Sequence, residues 1–323
     1  MYTRSSSRNR CRKAVMGPCV AALIAVTAGS AAALEYRGED LGGRPDFKAF
    51  QADGAITANQ LDACVEAKRP GDEGAAAVGR LLSEKNLPYE VQRWALFTYV
   101  DRVSGRDGRQ LADALKRAEA WADENPGDPV NAKARCAIAR TYAYCAPEGF
   151  DLSAQERLNA VNRILKPVAM QTPDPPTLDS VHFLVTYSEL AEELGTHALF
   201  EAAARQAGQV DAIELEKQLL AQQEERRRLT ALARTRLDEV AEIAAARLAQ
   251  LEGPDGTAAD EEALADALEL KGDVEALQEG FTRMLGALTD SIERRRGEID
   301  RISRDRAVED TVEQILEDSA PGE

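Results

Sequence analysis

The chain has 323 residues, 44% of them apolar and 5% aromatic, and a formal net charge of −16. That supplies enough apolar material for a core, in an Ala-, Leu-, Glu- and Arg-rich mixture that favours helices over a sandwich or barrel punctuated by frequent turns. The charge is uneven. The first 33 residues carry five basic groups (Arg4, Arg8, Arg10, Arg12, Lys13) and no acid, leaving 35 basic against 56 acidic residues, a balance of −21, in the remainder. A surface of that sign repels phosphates and anionic headgroups, so nucleic acid is not an expected partner.

Residues 1–33 have the layout of a secretory signal peptide. A basic stretch ends at Lys13, an apolar run covers 20–26, and small residues close the segment at Ser30, Ala31, Ala32 and Ala33. Ala31 and Ala33 give an A-x-A pattern, so cleavage is expected between Ala33 and Leu34. An uncleaved anchor is the chief alternative, because residues 14–34 approach the span of a bilayer. A lipoprotein signal fits less well, since Cys19 precedes the apolar run. A twin-arginine signal lacks its consecutive arginine pair. The expected destination is the periplasm or cell envelope, with membrane contact only if the signal is retained.

Residues 34–57 are rich in Gly and charge and read as a flexible segment. A helical body is expected over 58–207, beginning with short helices at about 58–67 and 73–85. Stronger apolar stripes follow at 90–104 and at 108–124, the latter with Leu111, Ala114, Leu115, Ala118 and Trp121 on one face. The stretch 125–129 (Asn-Pro-Gly-Asp-Pro) breaks the chain before a helix at about 130–145. Ser153 and Glu156 form a capping-box pattern for the next helix, and Pro167 should kink or end it. A further stripe from Leu178 to Leu194 is expected to stop at Gly195, with a short helix following to about 207.

Three cysteines follow the signal. Cys136 and Cys145 lie nine residues apart on one predicted helix, on opposite faces and roughly 13 Å apart along the axis, beyond the reach of a disulfide. With Cys64 they read as small buried hydrophobes.

Three successive helix pairs over 90–207 follow the logic of stacked repeats. The run from Asp128 to Tyr142 resembles a tetratricopeptide (TPR) repeat junction, with Pro129, Ile138, Ala139 and Tyr142 at that family's Pro, large, small and aromatic positions. Arg135 stands where the family often has Trp. The other pairs recur at roughly 41 to 48 residues where the family has 34. A generic α–α array therefore stays open beside it. If the resemblance holds, it implies that Lys133 and Arg140 line a groove and contact a peptide carboxylate.

The stretch 208–318 reads as a long antiparallel coiled-coil hairpin, and 319–323 as a disordered tail. Leu229, Ala233, Leu237, Val240, Ala244, Leu248 and Leu251 form one seam. Val274, Leu277, Phe281, Leu285, Leu288, Ile292, Ile299 and Ile302 form the other. The turn is expected at 253–256. Folding there pairs residues whose numbers sum to about 510. It places the arginines of 226–236 near Asp273, Glu275 and Glu279, and those of 294–306 near Asp211, Glu214 and Glu216. Gly272-Asp273 offers a second place where the last helix could break.

Motifs that carry chemistry are scarce. His182 and His197 are the only histidines. No sequence-local cluster suits a metal, and both read as helix-surface residues. No phosphate loop, nucleophile elbow or zinc-protease motif occurs. Residues 53–61 resemble the back half of an EF-hand loop in Gly54 and Ile56. Ala49, Gln51 and Gln60 depart from its ligand positions, so Thr57 is read as a helix cap. The arginine clusters 226–228 and 294–296 are flanked by acids and read as solvated helix faces.

The expected protein is therefore all-α, without a cofactor or an evident catalytic constellation. It reads as an exported scaffold with a protein partner, and the coiled coil is a candidate for homo-oligomerisation. A membrane-anchored spacer and a carboxylate-only helical enzyme acting on glycans are the alternatives.

Overall fold

The computed structural model describes residues 33–43, 45–69, 71–84, 86–206, 211–251 and 260–319. The expected signal up to residue 32, the turn at 253–256 and the last four residues lie outside them. Among the described residues, the fold is all-α except for one small hairpin.

That hairpin replaces the flexible stretch expected after the signal. Strand β1 (Ala33–Tyr36) pairs antiparallel with β2 (Glu39–Gly43), with Tyr36 opposite Glu39. Arg37 and Gly38 close the turn with φ of 55° and 80°, the positive-φ pair that a two-residue hairpin requires. An isolated two-stranded hairpin is marginal in water. This one is held by burial: Tyr36 and Leu41 are 2% and 0% exposed and join a cluster with Phe97, Val100, Leu111 and Ile138.

A short helix α1 (Phe47–Ala52) follows, then α2 (Ala58–Glu66) and α3 (Asp72–Leu81). Thr57 does cap α2, in a capping box closed by Gln60. Helices α4 (Tyr89–Val103) and α5 (Gly108–Glu124) match the expected stripes. The helix α6 (Asn131–Tyr144) follows the break at 125–129 and is buried nearly all round. It packs between α5, the hairpin and the helices that follow. Small side chains at Ala134, Cys136, Ala137 and Ala139 permit that crowding.

The Ser153–Glu156 capping box starts α7 (Ala154–Ile164). Pro167 ends it and opens a single turn, α8 (Lys166–Ala169), in agreement with its fixed φ and missing N–H. Helix α9 (Leu178–Arg205) runs straight through Gly195. The expected stop fails because α10 (Ala212–Leu251) crosses there. A Cβ on Gly195 would lie 2.7 Å from the side-chain amide of Gln222. Glycine is present for close approach and not as a terminator.

Helix α11 (Asp260–Ser319) is continuous across Gly272 and Asp273. It runs antiparallel beside α10. Arg306 bonds Asp211 at 2.9 Å, Arg296 bonds Glu224 at 2.6 Å, and Gln278 bonds Asp238 at 2.7 Å. At about 1.5 Å per residue, α10 and α11 are about 60 and 90 Å long. They are not detached from the body. Leu229, Ala233, Leu237 and Val240 of α10, with Val274 and Phe281 of α11, share one core with Val181 and Leu184 of α9 and Val161 of α7. Burying each large aliphatic side chain contributes about 1.5–3 kcal/mol.

The charge register holds at one end only. Arg295 and Arg306 meet Glu216 and Asp211 as expected. Among the described residues, the arginines of 226–236 make no ion pair with Asp273, Glu275 or Glu279, although Arg234 reaches α11 at Thr282, 2.6 Å away. Arg226 pairs with Glu192 on α9. Arg236 is buried and donates to the Ala169 and Ser180 carbonyls, at 2.9 and 3.3 Å. The body captures this stretch because α10 packs against α9 as well as α11.

Among the described residues, no helix is long and apolar enough to cross a membrane.

Candidate functional site

The hairpin turn brings Glu39 down onto α6 and α9, where a polar cluster closes beneath it. Arg140 of α6 is its hub. One guanidinium nitrogen donates to Glu39 Oε1 at 2.7 Å and to the Arg37 carbonyl at 2.8 Å. The other donates to Thr186 Oγ1 at 3.1 Å. His182 Nε2 of α9 lies 2.8 Å from the same Glu39 oxygen. The carboxylate accepts there, so the imidazole proton sits on Nε2. Cys136, one turn before Arg140, completes the group, with its sulfur within 4.8 Å of the Glu39 oxygen and the His182 nitrogen. Glu39 and Arg140 are 3% and 5% exposed.

Burial alone would raise the Glu39 pKa. The His182 hydrogen bond and the His182 and Arg140 charges outweigh it, and the carboxyl titrates below its ordinary range. Burial pushes the Cys136 thiol well above its ordinary value. It stays protonated at neutral pH and is no nucleophile in this state. The cluster is then one carboxylate and one guanidinium, with a neutral thiol and an imidazole beside them.

A second strand of contacts fastens the same turn. Tyr36 shares a 2.7 Å hydrogen bond with Thr141. Arg37 donates to Ser104 Oγ at 3.2 Å and to Cys145 Sγ at 2.7 Å. Burial pushes the Tyr36 hydroxyl up to about 12. Residues from the hairpin, α4, α6 and α9 thus meet at one point.

Several sequence expectations change here. Arg140 does not line an open groove. It lies inside, because α6 buries the face opposite its apolar stripe as well. Lys133 stays at the surface, in a 3.3 Å ion pair with Asp179 of α9. His182 is not an ordinary surface residue, since its side chain is 12% exposed and bound to Glu39. His197 is exposed, as expected. Cys64, Cys136 and Cys145 are buried thiols, with Cys136 and Cys145 separated along α6.

A ligand group for metals, absent from the sequence spacing, does assemble. Glu39, Cys136 and His182 place an oxygen, a sulfur and a nitrogen within 4.8 Å of one another. Its members stand 97 and 46 residues apart along the chain. Only the fold of the hairpin onto two non-adjacent helices brings them together. No local spacing could have signalled it.

The fold and cluster define an all-α protein with a buried ion-pair node that fixes its N-terminal hairpin. Comparison with protein-family models, curated proteins and solved structures finds no match to this chain.

Proposed function

We propose that the protein is an exported, non-catalytic scaffold of the periplasm or cell envelope, and that the free end of α11 is where it meets a protein partner. One observation carries this reading. Asp211, at the start of α10, bonds Arg306, so α11 continues past its neighbour for more than a dozen residues. Residues 307–314 are all exposed, Val308 and Val312 at 63% and 50%. These two valines stand one helical turn apart on one face. Glu309, Asp310 and Glu313 lie beside them, a flank that suits a basic partner and repels a second copy at the same face.

Within this reading, the body expected over 58–207 is a TPR-like α–α array. The α10–α11 pair is an antiparallel coiled-coil hairpin. Consecutive packing of α4 to α7 supports the first proposal. The cross-helix pairs from Asp211 to Asp238 support the second. The array does not give Arg140 a peptide-binding role, because its guanidinium is committed inside the fold.

Export rests on the layout of residues 1–33. Strand β1 begins at Ala33, so cleavage after Ala33 leaves the mature chain starting one residue into the strand. The test is the mass of the assembly recovered from native envelopes through a tag. The full chain is expected to return with a partner, and the Val308→Asp/Val312→Asp variant without one. Recovery of a bare chain in both cases contradicts the scaffold reading.

A further inference from the structure

We propose that Cys136 and His182, beside Glu39, form a binding site for a soft monovalent metal ion of the Cu(I) class. Thiolate and imidazole together favour copper or zinc over the hard, oxygen-seeking cations. Three ligand atoms lie within 4.8 Å of one another. A sulfur–metal–nitrogen line of ordinary bond lengths spans about 4.3 Å, which falls inside that 4.8 Å limit.

Charge decides between the candidate ions. Arg140 already neutralises Glu39 through a 2.7 Å ion pair. With a neutral His182 imidazole, the site is therefore balanced before any metal enters. A Cu(I) ion that binds the Cys136 sulfur displaces the thiol proton to solvent, one positive charge out for one in. No electron moves. A zinc ion that displaces the same proton leaves one uncompensated positive charge in a buried site, with a guanidinium in contact. Burying an unpaired charge is costly. Arg140 thus acts against divalent ions and leaves monovalent ones indifferent.

Arg140 gives up only its 3.4 Å approach to the His182 Nε2. It retains the Arg37 carbonyl, Thr186 and Glu39. What changes is His182. Its Nε2 gives up the hydrogen bond to Glu39 and takes the metal, with the ring proton moved to Nδ1. Glu39 keeps the Arg140 donor and remains a hydrogen-bonded third neighbour. The ion would tie α6 directly to α9, beneath the hairpin.

The test uses the full chain, purified reduced and without oxygen. Cu(I) is titrated in competition with bicinchoninate, and Zn(II) in competition with a chromophoric chelator. One equivalent of Cu(I) should be withheld, with affinity at least a hundredfold above that for Zn(II). Cys136→Ser and His182→Gln should each weaken Cu(I) at least tenfold, while Cys64→Ser and Cys145→Ser should not. Folding of each variant is checked by circular dichroism without metal. A readout free of variants is the imidazole 15N spectrum during Ag(I) addition. The Nε2 signal of His182 should shift, and those of His197 should stay. Equal affinity for zinc, unchanged copper binding in Cys136→Ser, or no His182 shift overturns the proposal.

Discussion

Arg140 and Glu39 stand 101 residues apart and form a 2.7 Å ion pair with both side chains almost wholly buried. Removing one partner of such a pair leaves the other uncompensated, which costs about 3–5 kcal/mol. Arg140→Met should therefore lower stability by about that much in urea unfolding. The double variant Arg140→Met/Glu39→Leu should be less damaging than the sum of its parts. A strictly additive result would mean that the two side chains are not coupled.

Two glycines should respond oppositely to an added methyl group. At Gly108, the first residue of α5, a Cβ would lie 2.1 Å from the Phe150 backbone nitrogen. Gly108→Ala should cost about 1–3 kcal/mol, because backbone must move. At Gly195 the obstacle is only the tip of Gln222. In a Gln222→Ala background, Gly195→Ala should stabilise by about 1 kcal/mol through helix propensity. Thermal melts of the variants read both signs.

Much of this architecture can be read from local chemistry. The Ser153–Glu156 box, the Thr57 cap and the break at 125–129 each depend on a few neighbouring residues, and each stands where those residues place it. The Arg295–Glu216 and Arg306–Asp211 pairs follow from folding the chain back on itself. The hairpin at 33–43 does not follow from such reasoning. Its strands are only four and five residues long, β2 ends in two glycines, and it is held by Leu41 and Tyr36 docking on distant helices. Gly195 looks like a stop until α10 is seen to cross it. His182 looks like a surface residue until Glu39 arrives from 143 positions away. Arg226 faces a choice between α9 and α11 that only packing resolves.

The Asp211–Arg306 pair makes a prediction in pH. The Arg306 hydrogen bond, aided by the Ile213 backbone N–H, lowers the Asp211 pKa to about 2. A depressed carboxylate contributes its stability above its unfolded value of about 3.9 and loses it as pH falls from there towards 2. Carboxyl NMR titration should give a midpoint near 2 for Asp211. In Arg306→Gln it should return towards the ordinary value. An unchanged midpoint in the variant would separate the two residues in solution.

The capping box of α7 is testable by truncation. Ser153 Oγ accepts from the Glu156 N–H, and Glu156 accepts from the Ser153 N–H. Ser153→Ala should cost about 1 kcal/mol, and Ser153→Asp much less. Denaturant midpoints at constant slope measure the difference.

The scaffold reading turns on the exposed end of α11, and photo-crosslinking in the native cell tests it most directly. A photoreactive residue at position 308 or 312 should give a discrete protein adduct. The same residue at exposed position 109, on α5, should not. Adducts at 308 and 312 alone are the predicted result. A pattern at these two positions indistinguishable from that at 109 would contradict the account.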